Sequence, residues 1–171
     1  MARKYVLANR PDGRSGILLN KDVSSDGAVD LWINAQTPSP LIFYGDPTDG
    51  RELMHEPPDG GAIFRIVTFN RELNDITPEQ MLEMHKALNS DHVPTLEELQ
   101  TAKHPSMHKT DTLNYFVLLS GKLWMLSEEE DVLLEPGDFV VQMGGIHGWK
   151  VESEEPAVLA CVLIDGVPEA S

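Results

Sequence analysis

The sequence predicts an all-β protein, an antiparallel sandwich or barrel, interrupted by two short helices. Three observations predict it. From Leu113 to Ile164, short runs rich in Val, Leu, Ile and aromatic residues recur at intervals of about 8 to 12 residues, with turn residues between them. Up to Phe69 the chain also reads as short β segments broken by proline and glycine, which respectively fix and free φ. Between the two regions, around Thr77, the apolar periodicity changes to that of a helix. At 171 residues one domain is expected, because single cores span roughly 100 to 200 residues. Its parts are N-terminal strands over 1–70, a helical insertion over 77–103 and a barrel region over 107–165. No internal repeat marks a solenoid or propeller.

In chain order, the first β segments are Gly16 to Asn20, Ala28 to Ala35, Leu41 to Tyr44 and Gly61 to Phe69. Pro11-Asp12-Gly13, Asp46-Pro47 and Pro57-Pro58-Asp59-Gly60-Gly61 separate them. Thr77-Pro78-Glu79-Gln80 is a capping box with proline at the first helical position, and Met81, Met84, His85 and Leu88 follow at helical spacing, so a helix is expected from Pro78 to Asn89. Thr95-Leu96-Glu97-Glu98 repeats the signal for a shorter helix ending before Pro105. The remaining strands are Leu113 to Leu119, Leu123 to Leu126, Val132 to Leu134, Phe139 to Gln142, His147 to Val151 and Ala157 to Ile164. Ser120-Gly121, Ser127 to Asp131, Pro136-Gly137-Asp138 and Gly144-Gly145 are read as reversals, the acidic run being a solvated hairpin tip.

Thirteen basic against 28 acidic residues give a net charge of −15. A field of that sign repels phosphate backbones and anionic lipid, so neither nucleic acid nor membrane is an expected partner. Cys161 is the only cysteine, which excludes an internal disulfide and any multi-thiolate metal site; it sits in an apolar strand and is read as packing. No run approaches the ~20 apolar residues of a membrane helix, and the opening Met1-Ala2-Arg3-Lys4 lacks the apolar stretch of a signal peptide. A cytoplasmic protein is expected. The G-x-S-x-G, H-E-x-x-H, Walker and G-x-G-x-x-G patterns are missing.

Six histidines are the candidates for chemistry. His55 lies in a proline-rich loop and His92 in the link between helices, and both are read as surface residues. His85 shares an apolar helix face and is read as a packed core histidine, while His104 precedes Pro105. His108, Thr110 and Asn114 have one parity on a strand and face one way. Inside an ordinary core each would need a partner or cost roughly 1 to 3 kcal/mol, so a polar pocket is the cheaper explanation. His147 and Trp149 share a face by the same rule.

This stretch resembles the cupin superfamily. In the first cupin motif, His108, Thr110, Asn114 and Gly121 occupy the positions of the histidine, second histidine, glutamate and closing glycine. The second motif resembles Gly137-Asp138 through His147, with Met143 for its proline and Val151 for its asparagine; Leu134-Glu135-Pro136-Gly137-Asp138 is its most typical piece. The resemblance runs from Met107 to Asp165. Within it, His108-Lys109-Thr110-Asp111-Thr112 and Val162-Leu163-Ile164-Asp165-Gly166 are similar to a group of small single-domain cupins. It implies a cupin jelly-roll barrel, with the two helices inserted before the motifs and packed outside it or over one mouth. It also implies a homodimer and Fe, Mn, Ni or Zn bound through His108 and His147, with Asn114 a third ligand. Thr110 and Asn114 replace the family's remaining donors with a neutral hydroxyl and amide, whereas these metals favour imidazole, thiolate or carboxylate. The alternative is a pocket for organic ligand alone.

The expected function is a small-molecule lyase or isomerase, dehydratase-like in its proton transfers, acting on an oxygenated or carbonyl-containing metabolite. His108 and His147 are its catalytic residues, one ring accepting a proton while the other donates. Thr110, Asn114 and Gln142 orient the substrate, and Trp149 with Met143 forms an apolar wall. A metal-dependent oxygenase or decarboxylase, and a non-catalytic small-molecule-binding cupin, are the alternatives.

Overall fold

The computed structural model describes residues 2–9, 14–24 and 26–167. The Pro11-Asp12-Gly13 turn lies outside them. Nine strands are described: β1 (Ala2–Asn9), β2 (Ser15–Val23), β3 (Ala28–Asn34), β4 (Ala62–Phe69), β5 (His108–Ser120), β6 (Leu123–Leu126), β7 (Val132–Leu134), β8 (Phe139–Val151) and β9 (Ala157–Asp165). Between β4 and β5 lie a 3₁₀ turn (Arg71–Asp75) and two helices, α1 (Pro78–Ala87) and α2 (Leu96–Thr101). β1 and β2 form a separate hairpin, and the other seven strands form one antiparallel sheet in the order β3-β4-β9-β5-β8-β6-β7.

The sheet folds over because β8 serves two partners. Its first part, Phe139 to His147, pairs with β5, and Gly148 to Val151 pair with β6. Gly144 and Gly145 at the changeover have φ of 64° and 87°, a region other residues enter with strain, and the β5–β8 register shifts beside them. Two residues of β5, Asp111 and Thr112, face the single Gly144 there, so the bulge's extra residue belongs to β5 and β8 runs past it as one long strand. The reversal expected at Gly144-Gly145 is therefore corrected to a bend that carries the strand from one wall to the other. Phe116, Leu118, Leu159 and Cys161 on one wall meet Leu123, Leu134 and Val151 on the other, with Trp149 between.

Along β5 the even positions from Thr110 to Leu118 are buried, as strand alternation requires. Phe116 and Leu118 fill the core, while Thr110, Thr112 and Asn114 carry polar groups into the other end of the same interior. Both capping boxes form: Thr77 Oγ1 accepts from the Gln80 backbone N–H and Thr95 Oγ1 from that of Glu98, each at 3.2 Å. These fix the starts of the two helices.

Two further expectations are corrected. Leu41 to Tyr44 is not a strand: Leu41, Ile42 and Tyr44 are exposed, and Phe43 stacks on Trp32 at 6.5 Å. β1 was not anticipated. Exposed Tyr5 and Leu7 alternate along it with half-buried Lys4, Val6 and Ala8, an alternation hidden in the sequence because Tyr5-Val6-Leu7-Ala8 is an unbroken apolar run. The hairpin is tied to the body by Lys4, whose Nζ lies 2.7 Å from Asp46 Oδ2, and by Lys21, which pairs with Asp46 and Asp49. Among the described residues no helix is long and apolar enough to cross a membrane.

Candidate functional site

The polar end of the barrel opens into a cavity of about 680 Å³, a size suited to a small organic molecule. β5 contributes His108, Thr110, Thr112 and Asn114, β8 contributes His147 and Trp149, and α1 closes one side with Met81 and His85. His108 and His147 are Cα partners across β5 and β8, with ring centroids 4.5 Å apart. Trp149 meets the His147 ring edge-on at 5.7 Å and belongs to the core cluster as well as the cavity wall.

Two more imidazoles join them. The His55 ring lies 5.0 Å from His108 and 5.2 Å from His85, and His85 lies 5.2 Å from His108. His55 is therefore no surface residue. Buried Arg65 on β4 donates to the carbonyls of Met54 and His55 while its Nε donates to Asp30 Oδ1 at 2.6 Å. The His55 backbone N–H donates to the Leu88 carbonyl at the end of α1, 3.0 Å away. Loop, sheet and helix are thus pinned together at the cavity rim. His85 is buried, as its apolar face suggests, yet lines the cavity too.

Hydrogen bonds set the tautomers. The Ser106 carbonyl can only accept, so His108 Nδ1, 2.9 Å away, carries the proton and Nε2 holds the lone pair. His147 is the reverse. Gln142 Oε1 accepts from Asn114 Nδ2 at 2.9 Å, and its amide nitrogen faces the Gly144 carbonyl at 3.2 Å, which fixes it as the donor. That nitrogen lies 2.6 Å from His147 Nδ1, whereas the Gly145 carbonyl, which would call for a proton on the same atom, is 3.4 Å away; the shorter contact favours Nδ1 as acceptor and the His147 proton on Nε2. His55 Nδ1 faces Glu56 Oε1 at 2.7 Å, and Glu56 Oε2 accepts from the Asp91 backbone N–H at 3.1 Å. Of the four rings, only His55 is backed by a carboxylate, the support a general base has in catalytic triads.

Burial holds His85, His108 and His147 neutral at physiological pH. It pushes His85 down to about 4, with repulsion from His55 adding to it, and His147 likewise to about 4. His108 falls well below the ordinary imidazole value, through burial first and then the neighbouring rings. Burial pushes the Cys161 thiol up to about 12, so it is no nucleophile at neutral pH. Among the described residues, four buried polar atoms have no protein partner: His85 Nε2, Thr110 Oγ1, Thr112 Oγ1 and Asn114 Oδ1. All four residues line the cavity.

Of the residues predicted for the site, His108, His147, Thr110, Asn114 and Trp149 surround this one cavity. Gln142 stands behind it, holding Asn114 and His147 in place. Met143 is a correction. It pairs with Leu113 on the outward parity of β5 and is 84% exposed on the opposite face of the sheet. Glu56, Ser106, Thr112, His55 and His85 were not assigned to the site. Glu56 is adjacent in sequence to His55, a signal for a carboxylate-backed ring; Thr112 has the parity of Thr110 and Asn114.

Two motif histidines opposed on neighbouring strands, inside an antiparallel barrel whose β8 crosses between its walls, are what the motifs imply. The fold is of the cupin type. No family model matches the sequence, and no curated protein matches it. Similar solved structures include the cupin domain of Schizosaccharomyces pombe Cnp3, at TM-score 0.45 and 7% identity over 96% of this chain and 88% of that one. A cupin protein from Bacteroides fragilis has TM-score 0.42 and 16% identity over 88% of this chain and 86% of that one. A structure of FeII HppE in complex with its substrate has TM-score 0.39 and 13% identity, with 70% of this chain and 63% of that one covered.

A cupin barrel implies a metal, and the donors at its motif positions do not fit one. Thr110 and Asn114 bring neutral oxygen to two of the four places, and among the described residues no group of three or more His, Cys, Asp or Glu side chains is arranged to hold an ion. The chemistry is accordingly derived from the imidazoles.

Proposed function

We propose that this barrel is a small-molecule lyase or isomerase that moves protons on an oxygenated or carbonyl-containing metabolite. The observation that carries the reading is the facing of the His108 and His147 rings, 4.5 Å between centroids, with hydrogen-bond partners that favour opposite tautomers. One offers a lone pair at Nε2 and the other an N–H. The His147 Nε2–H hydrogen-bonds the substrate oxygen, as a neutral imidazole can in a dry site. The His108 Nε2 lone pair takes a proton from the adjacent carbon or hydroxyl, with His55 and its Glu56 partner beside it to share that role. In an isomerisation the proton returns to the substrate at its new position; in a dehydration the C–O bond beside the abstracted proton breaks as the double bond forms, and the departing hydroxyl takes a proton from the imidazoles and leaves as water. Thr110, Thr112 and Asn114 supply hydrogen-bonding oxygens that have no protein partner, which favours a substrate bearing several hydroxyl or carbonyl groups. Trp149 and Met81 supply apolar contact.

The test is turnover in a panel of hydroxy-carbonyl metabolites. His108→Ala and His147→Ala should each lower turnover by roughly 10² to 10⁴ while the circular dichroism spectrum is retained. Undiminished turnover in both variants would overturn the reading. So would close to one equivalent of Fe, Mn, Ni or Zn in protein purified without chelator, lost in His55→Ala and His85→Ala, since those rings would then be ligands.

A further inference from the structure

The polar and apolar linings of the cavity lie at opposite ends. At one end stand Thr110, Thr112 and Asn114, in the first half of β5, with His108 and the imidazoles around it. The other end is hydrocarbon. Asn114 pairs with Leu163 on β9, and four residues along β9, roughly 13 Å away, Leu159 pairs with Val67 on β4, with Phe69 beyond it. Trp149 divides the two. Its ring meets His147 on one side, and on the other it stacks on Phe69 at 5.9 Å and meets Phe116 edge-on at 5.4 Å. Past Phe69 the 3₁₀ turn, the residue that follows it and α1 carry the apolar wall onward through Leu73, Ile76, Met81 and Met84. Two methionines there make a wall that adapts its shape to what lies against it.

The lining offers no charge to a ligand. Arg65 is the one Arg or Lys among the described residues that line the cavity, and it is engaged: Nε donates to Asp30 Oδ1 at 2.6 Å, and the terminal nitrogens donate to the carbonyls of His55 and Met54. Buried Glu56 has one oxygen 2.7 Å from His55 Nδ1 and the other accepting from the Asp91 N–H at 3.1 Å. Glu72, the other acidic lining residue, is exposed to solvent, where attraction to a cation is screened. A carboxylate or phosphate would leave water and meet Glu56 but no unpaired cation. An ammonium would find the buried carboxylate already occupied. Either charge would lose its hydration with nothing to replace it.

We propose that the cavity takes an uncharged, amphiphilic hydroxy-carbonyl compound, its oxygenated head among the imidazoles and an apolar ring or short chain along Phe69, Leu73, Ile76, Met81 and Met84. The carbonyl rests on the proton-transfer reading above; the hydroxyls, the apolar body and the lack of charge rest on the lining. A small polyol would satisfy Thr110 Oγ1, Thr112 Oγ1, Asn114 Oδ1 and His85 Nε2, which have no protein partner, but would leave water against the hydrocarbon end. A bare hydrocarbon would cover that end and leave the four polar atoms unmet in a dry site. Only a molecule with both parts satisfies both ends at once, the usual division of labour in a small-molecule cavity.

The experiment measures dissociation constants of the full chain by isothermal titration calorimetry with four probes. α-Hydroxyacetophenone has the head and a ring without charge, and dihydroxyacetone has the head alone. Mandelate and protonated phenylglycinol keep the ring and a hydroxyl but add a negative and a positive charge. The first should bind at least about tenfold more tightly than each of the others. Met84→Asn, at a position 40% exposed and so tolerant of change, should weaken that binding severalfold. So should Thr112→Val, which removes a hydroxyl and keeps the side chain's shape. Equal or tighter binding of any other probe, no binding of α-hydroxyacetophenone at millimolar concentration, or an affinity indifferent to both variants would each overturn the proposal. Binding is read apart from turnover, so the two readings fail separately. Selective binding with no conversion of any hydroxy-carbonyl compound supports the ligand class while the proton-transfer reading falls; conversion of anionic substrates that needs His108 and His147 overturns the ligand class and leaves proton transfer standing.

Discussion

At the scale of single residues, Gln142 decides more than its place behind the cavity suggests. Its amide is oriented by the Gly144 carbonyl and the Asn114 amide, and so presents N–H to His147 Nδ1. If the His147 Nε2–H is the donor to substrate, then Gln142→Leu removes what holds that tautomer, and Gln142→Glu replaces the donor with an acceptor that favours the other. Both variants should lose about 10²-fold in kcat with little change in KM, and the imidazole nitrogen shifts of His147 should report the changed tautomer by NMR. A wild-type kcat in Gln142→Glu would show that the proton on Nε2 is not used. The parity of His108, Thr110 and Asn114 was legible because a strand alternates strictly, and their shared face is where the structure puts them. His55 and His85 were not legible as partners. They reach the cavity from a loop and a helix, and no sequence spacing encodes the approach of elements brought together by the Arg65 clasp on Met54 and His55, the backbone bond from His55 to Leu88 and the bond from the Asp91 N–H to Glu56.

At the scale of elements, Gly148 shows how the strands set the site. A Cβ there would stand 2.8 Å from Ser106 Oγ, 2.9 Å from Met107 Cγ and 3.0 Å from the Met107 backbone nitrogen. Ser106 is the hinge of that contact: its hydroxyl accepts from the Trp149 N–H at 2.9 Å and donates to the Trp149 carbonyl at 2.8 Å, while its own carbonyl receives His108 Nδ1–H. Gly148→Ala must push the segment before β5 away from β8. It should cost about 1 to 3 kcal/mol, the range for overpacking, read as a lower midpoint in urea. It should also release His108 from its single tautomer. An unchanged midpoint would mean that the segment yields freely. Capping boxes and turn residues made the helices and most β reversals readable, since each is a local device. Gly144-Gly145 misled because the same positive-φ residues serve a turn and a bulge, and only the long pairing of β8 with β5 and then β6 distinguishes them.

At the scale of the whole molecule, the buried imidazoles link stability to pH. His85 and His147 sit at about 4 in the folded protein against an ordinary value of 6.5, and His108 is lowered as well. Above pH 6.5 neither folded nor unfolded chain holds protons on these rings, and they leave stability unchanged. Between 6.5 and about 4 the unfolded chain takes up protons that the folded one refuses, so acidification favours unfolding. Below that window the Asp46 carboxyl takes over. Despite the opposing effect of burial, it is held well under the usual carboxylate range by hydrogen bonds from Lys4 and Thr48, and the attachment of the β1–β2 hairpin weakens as it is protonated. The midpoint of thermal unfolding should therefore hold near pH 7 and fall from about pH 6.5 to pH 4.5. His85→Asn, which removes one of the refusing groups, should flatten that slope even if its midpoint at pH 7 is lower. Calorimetry of both proteins across the window checks the sign. A wild-type midpoint that is constant or rises on acidification would mean that these rings accept protons in place, and that the cavity is wetter and more polar than its lining implies.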